Sequence, residues 1–187
     1  MTAFATYSDL ASRLGVTYTP LQQTQVTLLL EDAAVMMRGV MRNQVYPSLS
    51  STYLAYPVGG RVALPQSFVR SVDAVVSTLS LPVAYTRRQD TICVDTDDPI
   101  TVTFTYGLAA APLDLVAINC ALVGQVLLTV NAGLGLNAGG LSSVAIDDFK
   151  AAFADGGAGT GMTLTANTEQ YLIDHYGQSS WIVEASR

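Results

Sequence analysis

Charged residues are scarce in this sequence, and its basic residues are scattered. Only 13% of the 187 residues are charged while 50% are hydrophobic, against roughly 25% charged in an ordinary soluble chain. Among the nine Lys and Arg residues, only Arg87 and Arg88 are adjacent. A surface that binds nucleic acid needs clustered cations, so nucleic-acid binding is excluded as the main activity. The net charge of −6 is compatible with an acidic channel wall that DNA passes without binding. The shortage of charge instead favours self-association.

Histidine and cysteine, which carry much of enzyme and metal chemistry, are nearly absent. His175 is the single histidine, and Cys93 and Cys120 form no close-spaced metal or redox motif. One histidine and two cysteines cannot complete a tetrahedral zinc site without carboxylates. The acidic run DTDDP, residues 95–99, lacks the loop glycine and the distant glutamate of a calcium hand. We expect no metal, no cofactor, no catalysis and a reducing compartment.

Three segments imitate motifs that they do not complete. GLGLNAGG, residues 133–140, lacks the preceding strand of a dinucleotide loop, and DGGAGTG, residues 155–161, lacks the Lys-Ser/Thr of a phosphate-binding loop. Both are therefore interpreted as loops. The uncharged run over 115–130 is shorter than the roughly 20 residues that a bilayer requires. It favours a buried helix, and with no signal peptide visible the chain is expected to begin in the cytosol.

Capping signals and apolar spacing predict two helices in the first part of the chain. Thr6 and Asp9 have the spacing of a capping box, and Gly15 follows the last apolar residue of a short first helix. Thr19 followed by Pro20 marks the start of a second helix, which reaches about residue 42. Its apolar residues recur at steps of three and four, and they are Val26, Leu29, Leu30, Ala33, Met37, Val40 and Met41. We expect this helix to be long and amphipathic.

The C-terminal half predicts two more helices and a hairpin. Pro112 and Asp114 mark the start of a third helix that runs to about Asn131 and has a very narrow polar face. Thr165 caps a fourth helix that continues through Tyr176 and ends at a glycine. Between them, the alternation around VAIDDF, residues 144–149, predicts a β-hairpin flanked by glycine-rich loops.

Residues 48–106 have the composition of strands, and prolines and glycines divide them into short segments. Ile100, Val102, Phe104 and Tyr106 alternate with threonines in the clearest of them. The segments are interpreted as a meander, and they are RVALP, VRSVDAVVSTL, VAYTRR, TICVDT and ITVTFTYG.

The predicted fold class is α+β. The helical core comprises 1–47 and 107–187, and an antiparallel β domain is inserted over 48–106. The core is a small bundle of three to four helices with a β-hairpin and an extended C-terminal tail.

The order of these elements resembles that of the head-to-tail connector (adaptor) proteins of long-tailed bacteriophages. The segments that carry the resemblance follow one another as YSDLASRLG, TPLQQTQVTLLLEDAAVMMRGVM, ITVTFTYG, APLDLVAINCALVGQVLLTVN, VAIDDF and LTANTEQYLIDHYG. The resemblance implies a structural virion protein and not an enzyme. It implies a homo-oligomeric ring, a dodecamer, that lies under the portal, extends the DNA channel and joins the capsid to the tail.

The resemblance also implies the partners and the location of the chain. The partners are the portal protein, further copies of the chain, and the next neck or tail protein, either a stopper or a tail terminator. Genomic DNA passes through the channel without specific binding, and no membrane is involved. Assembly takes place in the host cytoplasm, and the product lies at the head–tail junction of the virion.

Two groups of residues are predicted to make these contacts. The third helix has more apolar circumference than a domain of this size can cover, which predicts a ring interface at Val116, Cys120, Val123 and Leu127. In the family the C-terminal segment reaches toward the portal, which implies that Trp181, Ile182 and Val183 bind it. Their β-favouring run suits strand addition to a portal edge. The alternative is that Trp181 folds back onto its own bundle or onto a neighbouring subunit.

Two other functions are compatible with the sequence. The first is another neck or tail-completion protein, although such proteins are dominated by strands and this chain has several helices. The second is a carbohydrate-binding module on a helical stalk, with Tyr53, Tyr56, Tyr85 and Tyr106 as stacking residues. Aromatic residues that alternate along strands are more often part of a core.

Overall fold

Helices and strands occupy separate stretches of the chain, with all six of the described strands between the second and third helices, as expected for an α+β protein. The computed structural model describes residues 2–138 and 162–177. Within them the helices are α1 (Tyr7–Leu14), α2 (Pro20–Met41), α3 (Leu113–Ala138) and α4 (Ala166–Tyr176). The strands are β1 (Leu49–Ala55), β2 (Arg61–Ala63), β3 (Val69–Ser77), β4 (Tyr85–Arg88), β5 (Thr91–Val94) and β6 (Ile100–Tyr106). The predicted fold class is confirmed. The hairpin predicted around 144–149, the stretch 155–161 and the C-terminal tail lie outside the described residues.

The described residues divide into two units. The first unit, called the helical unit, contains residues 2–40 and the described parts of 112–172. The second unit, called the β unit, contains Met41–Ala111 and residues 173–177. The predicted β domain, 48–106, lies within the second unit, and its independence from the helices stays a prediction.

Side-chain caps fix the starts of the first two helices. The Thr6 amide donates to Asp9 Oδ2 at 2.8 Å, and the Asp9 amide donates to Thr6 Oγ1 at 3.2 Å. These bonds satisfy amides that have no partner within the helix, and the hydrogen bonds from the Thr6 hydroxyl and amide hold the pKa of Asp9 below its ordinary value. Gly15 ends α1 with a φ of 66°. The Thr19 amide donates to Gln22 Oε1 at 2.9 Å at the start of α2, so both predicted starts are confirmed.

Helix α3 is longer than the sequence predicts. The expected end lies near Asn131, with GLGLNAGG as a loop, but the helix continues to Ala138. The prediction was wrong because each of the two glycines in this extension, Gly133 and Gly135, costs only about 1 kcal/mol relative to alanine. The leucine and alanine residues between the glycines favour the helix, so glycine spacing is a weak stop signal here.

The helical unit is built around one face of α2. The predicted apolar positions Val26, Leu30, Ala33 and Met37 are at most 2% exposed. The other helices contribute side chains that are equally buried, among them Leu10, Leu115, Val123 and Leu172. Each fully buried side chain of this size contributes roughly 1.5–3 kcal/mol through the hydrophobic effect. The apolar periodicity of α2 is therefore confirmed as its core face.

A buried asparagine joins three segments of the helical unit. Asn119 of α3 is 0% exposed. Its Oδ1 accepts from the Ala5 amide at 3.1 Å, and its Nδ2 donates to the Leu30 carbonyl of α2 at 3.1 Å. The Arg38 guanidinium lies 4.6 Å from the centre of the Phe4 ring, which adds a cation–π contact to the same N-terminal segment. Residues 2–5 are thus an ordered part of this unit.

The second unit contains two three-stranded antiparallel sheets that share one core. Sheet A has the strand order β1-β6-β3, and sheet B has the order β2-β5-β4. The core residues are Ala55, Val62, Leu64, Val69, Val75, Ile92, Val94, Ile100, Val102 and Phe104. The predicted meander is wrong, because only β4 and β5 are neighbours both along the chain and in a sheet. Alternation in β6 identifies its buried face but gives no information about its partners.

Strands β1 and β6 bring the two ends of the β region together. Leu49 pairs with Tyr106. Just beyond this pair, Gly107 has a φ of 81°, and a Cβ atom built on it would lie 2.8 Å from the Pro47 carbonyl oxygen. A side chain would meet that backbone atom and the positive φ together, so glycine is required. The chain therefore enters and leaves the β region at one point.

Candidate interaction surfaces

The described part of the chain contains no candidate metal site. Among those residues, no group of three His, Cys, Asp or Glu could hold a metal ion. Cys93 and Cys120 are free thiols. Burial raises the pKa of the Cys120 thiol, although Arg13 opposes this effect, so the thiol stays protonated at neutral pH. No helix within 2–138 or 162–177 is long and apolar enough to span a membrane.

The residues predicted for the ring interface lie mainly inside the helical unit. Val116, Cys120 and Val123 are buried there, and Leu127 is half-buried. Side chains that are already covered add little further buried area to an interface. The apolar circumference of α3 is therefore partly covered by its own chain, and the assignment of an interface to these four residues stays a prediction.

Helix α2 carries exposed apolar side chains on a second face, where they alternate with the polar side chains of Gln25 and Asp32. Leu21, Leu28 and Val35 are spaced by seven residues and are between 47% and 71% exposed. Seven residues are about two turns, so these side chains lie in line along about 21 Å of helix. We call these three residues the α2 stripe. Sequence reasoning missed it because one apolar face was assigned to α2, and the seven-residue repeat is the signal that identifies it.

Four further exposed apolar side chains lie in two turns of the second unit. Tyr56 and Val58 lie between β1 and β2, while Leu79 and Leu81 lie between β3 and β4. They are between 61% and 81% exposed, and we call them the distal tip. The last residues of β1 and β3 both pair with Ile100 of β6. The two turns thus leave the same end of sheet A, about 10 Å apart.

The tyrosines considered for carbohydrate stacking do not form a platform. The Tyr53 hydroxyl donates to the Ala63 carbonyl at 3.0 Å, and burial raises its pKa to about 12. The Tyr85 hydroxyl donates to the Val72 carbonyl at 2.9 Å. The Tyr106 ring lies 5.5 Å from that of Phe104. These three therefore support the fold, and Tyr56 alone of the four is mostly exposed.

The end of α4 is held within the second unit. Asn43 Nδ2 donates to the Tyr176 carbonyl at 2.9 Å, and the centres of the Phe68 and Tyr176 rings are 6.4 Å apart. The predicted portal-binding residues follow this helix. Trp181, Ile182 and Val183 lie outside the described residues.

Comparison with known proteins identifies similar structures. No protein-family model matches the chain, and no curated protein matches it. A chain in the neck of the empty GTA particle, computed with C6 symmetry, has 20% identity over 63% of this chain and 74% of that chain, with a TM-score of 0.47. A chain in the neck of the native GTA particle, computed with C12 symmetry, has 16% identity over 82% of each chain and a TM-score of 0.49.

A third likeness extends over nearly the whole chain. A chain in the virion of the native gene transfer agent (GTA) particle has 16% identity over 91% of this chain and 87% of that chain, with a TM-score of 0.54. At this identity the likeness shows that the two chains share a fold. The chain therefore shares its fold with a protein of this virion.

Proposed function

We propose that this chain is a structural protein of a virion neck, where it joins the capsid to the next neck or tail protein. The observation that carries the proposal is the likeness in fold to a chain of the GTA virion, which extends over 91% of this chain. The α2 stripe and the distal tip support it, because a protein that joins others needs exposed apolar surfaces of this kind.

The proposed assembly is a ring of identical copies, a dodecamer beneath the portal. A ring needs a head-to-tail interface, in which one surface of a copy meets a different surface of the next. The α2 stripe provides one such surface. We place the other on the side of α3 that its own chain leaves open, where Leu113, Ala117 and Ala121 are exposed beside the buried Val116, Cys120 and Val123.

The ring is tested by placing charge in the α2 stripe. The purified native chain should form rings in electron micrographs and sediment as an oligomer. The double variant Leu21→Asp and Leu28→Asp should sediment as a monomer, because each carboxylate would be buried without a partner. The control is Leu79→Asp with Leu81→Asp, which changes two equally exposed leucines elsewhere and should leave the ring intact.

The possible outcomes separate the function from the interface. A native chain that stays monomeric at every concentration and never occurs in particles would refute the proposed function. Rings that survive Leu21→Asp and Leu28→Asp would place the interface elsewhere, while the neck assignment would stand.

The proposed ring extends the DNA channel without gripping DNA. The net charge of −6 favours a lumen that repels phosphate. Genomic DNA would pass through the ring, and no sequence-specific contact is proposed.

The proposed contact with the portal lies in the C-terminal tail. Trp181, Ile182 and Val183 would add a strand to an exposed portal edge, with Trp181 as the apolar anchor. Removal of residues 179–187, or the substitution Trp181→Ala, should leave rings that no longer bind portal in a pull-down, since loss of such an anchor often costs at least about 2 kcal/mol.

The matched control for the tail is Gln178→Ala, which changes the residue just before the removed segment. Truncated rings that bind portal as well as native rings would remove the tail from this contact. A ring that falls apart on truncation would mean that Trp181 packs on its own bundle or on a neighbouring copy.

A further inference from the structure

The distal tip is held in shape by the backbone of its two turns. The Val58 amide donates to the Arg61 carbonyl at 3.0 Å, and the Arg61 amide donates back at 3.2 Å. In the second turn, the Ser77 amide donates to the Leu81 carbonyl at 2.8 Å. The backbone of such closed turns loses little conformational freedom when a partner binds. The positions from which the four apolar side chains extend into solvent are therefore already fixed.

The position of the distal tip gives it access to a partner. The chain enters and leaves the β region at Pro47 and Gly107, and β1 and β6 extend from there for seven residues each, about 20 Å. Tyr56, Val58, Leu79 and Leu81 lie beyond the opposite end. They are the part of the β region farthest along sheet A from its attachment.

An acidic loop lies beside the apolar side chains. Asp97 Oδ1 accepts from the Gly60 amide at 3.2 Å, which attaches the loop 95–99 to the first turn. Asp95, Asp97 and Asp98 are exposed. The three loops at this end, 56–60, 78–84 and 95–99, contain these three carboxylates and no Lys or Arg. Exposed Arg61 directly follows the first of them, so the acids outnumber this adjoining cation.

We infer that the distal tip is the docking surface for a second protein of the particle, one that offers an apolar socket rimmed by Lys and Arg. This inference rests on the proposed neck function and assigns the tail-side contact to a specific surface. Two leucines, a tyrosine and a valine fill the socket, and the carboxylates of the loop 95–99 meet the basic rim. Charge complementarity of this kind selects the partner and raises the association rate.

The carboxylates of the loop 95–99 disfavour two other occupants of the distal tip. A second copy of this chain docked tip to tip would place three carboxylates against three carboxylates. An anionic membrane surface would be repelled for the same reason. A basic protein surface is the occupant whose chemistry matches both the apolar side chains and their acidic border.

The first test changes the apolar side chains in assembled particles. Leu79→Asp with Leu81→Asp should leave the chain on the heads but lower the number of heads joined to tails by about tenfold or more, because loss of a central apolar anchor often weakens binding by at least that factor. The control is Leu49→Asp, an exposed apolar residue at the opposite end of sheet A, which should leave joining unchanged. Tip variants that join tails at the native level would overturn the inference.

The second test changes the charge. Joining of native heads and tails in vitro should weaken as salt is raised, because attraction between exposed charges is screened. With Asp95→Lys and Asp98→Lys, joining should be weaker at low salt and should recover as salt is raised. Asp97 is left unchanged because it holds the Gly60 turn. If the native chain and the Asp95→Lys and Asp98→Lys variant respond to salt in the same way, the acidic loop is excluded from the contact.

The third test identifies the occupant. A photo-reactive phenylalanine analogue at Leu79 should cross-link, in assembled particles, to a structural protein other than this chain, at a peptide that contains Lys or Arg. Cross-links to this chain itself would show a contact between copies. Tip-dependent binding of the purified protein to phosphatidylcholine vesicles would show a lipid surface. Either result overturns the inference while the neck function stands, whereas absence of the chain from particles refutes the function itself.

Discussion

Replacing Asn119 with leucine should lower the free energy of unfolding of the helical unit by about 2–4 kcal/mol. The substitution removes the acceptor for the Ala5 amide and the donor for the Leu30 carbonyl. Leucine has the same branched shape as asparagine but is larger, so the cost comes from the Ala5 amide, which loses its partner in a buried site, and from crowding of the core. The Leu30 carbonyl lies inside α2 and keeps its helical hydrogen bond. Urea unfolding followed by circular dichroism measures the change. The control is Asn167→Leu, which makes the same substitution at an exposed position of α4 and should change the stability by less than about 0.5 kcal/mol.

The variant Asn119→Asp tests the same hydrogen bonds through pH. The carboxylate can still accept from the Ala5 amide, but it faces the Leu30 carbonyl oxygen without a proton to donate. Burial should raise the pKa of this carboxyl above its value in the unfolded chain, about 4. The deficit relative to the native chain should therefore be smallest below that value and should grow as the pH rises through the folded pKa. An equal deficit at all pH values would contradict the proposed role of the Nδ2 donor.

Excision of residues 48–106, with Pro47 joined directly to Gly107, should leave a folded helical protein that still self-associates. The two residues are already in contact, so the new bond requires no linker. The shared core of sheets A and B leaves together with the excised segment, so little apolar surface of that core is exposed. Circular dichroism should show the helical signal retained, and sedimentation should show the native oligomeric state.

The control for the excision removes a segment whose ends do not coincide with the ends of the β region. Removing 61–94 deletes β2 to β5 but leaves β1 and β6 with an uncovered apolar face, which should cause aggregation. If excision of 48–106 unfolds the helices as well, the β region is required for their folding, and the proposed division of the chain is wrong.

Local signals in the sequence predicted most of the secondary structure. The Thr6 and Thr19 caps and the helix-ending Gly15 act within one helical turn, so their consequences can be read from neighbouring residues. The threonine alternation in β6 is equally local, because every second side chain lies on the same face. The buried face of α2 follows from its own periodicity for the same reason.

Local signals in the sequence could not predict the features that depend on contacts between distant residues. The pairing of β6 with β1 and β3 depends on contacts between distant segments, and a meander is the default when only neighbours are considered. Two errors had local causes: β1 reads as LSSTYLA, whose serines and threonine hid a strand, and the length of α3 was underestimated from its glycines. The α2 stripe and the distal tip became visible only when the structure showed which apolar residues stay exposed. Their roles, like those of Val116 to Leu127 and Trp181, stay predictions.

The pairing of β1 with β6 also bears on how the chain folds during synthesis. Ala55 and Ile100 pair across 45 positions of sequence, so β1 leaves the ribosome well before the strand that will cover its backbone. An unpaired strand that waits with exposed amides and carbonyls can associate with other chains. A run of serine and threonine lowers the apolar attraction that would hold such an encounter together. The three polar residues Ser50, Ser51 and Thr52, which hid β1 from prediction, should thus make such encounters weaker until β6 is synthesised.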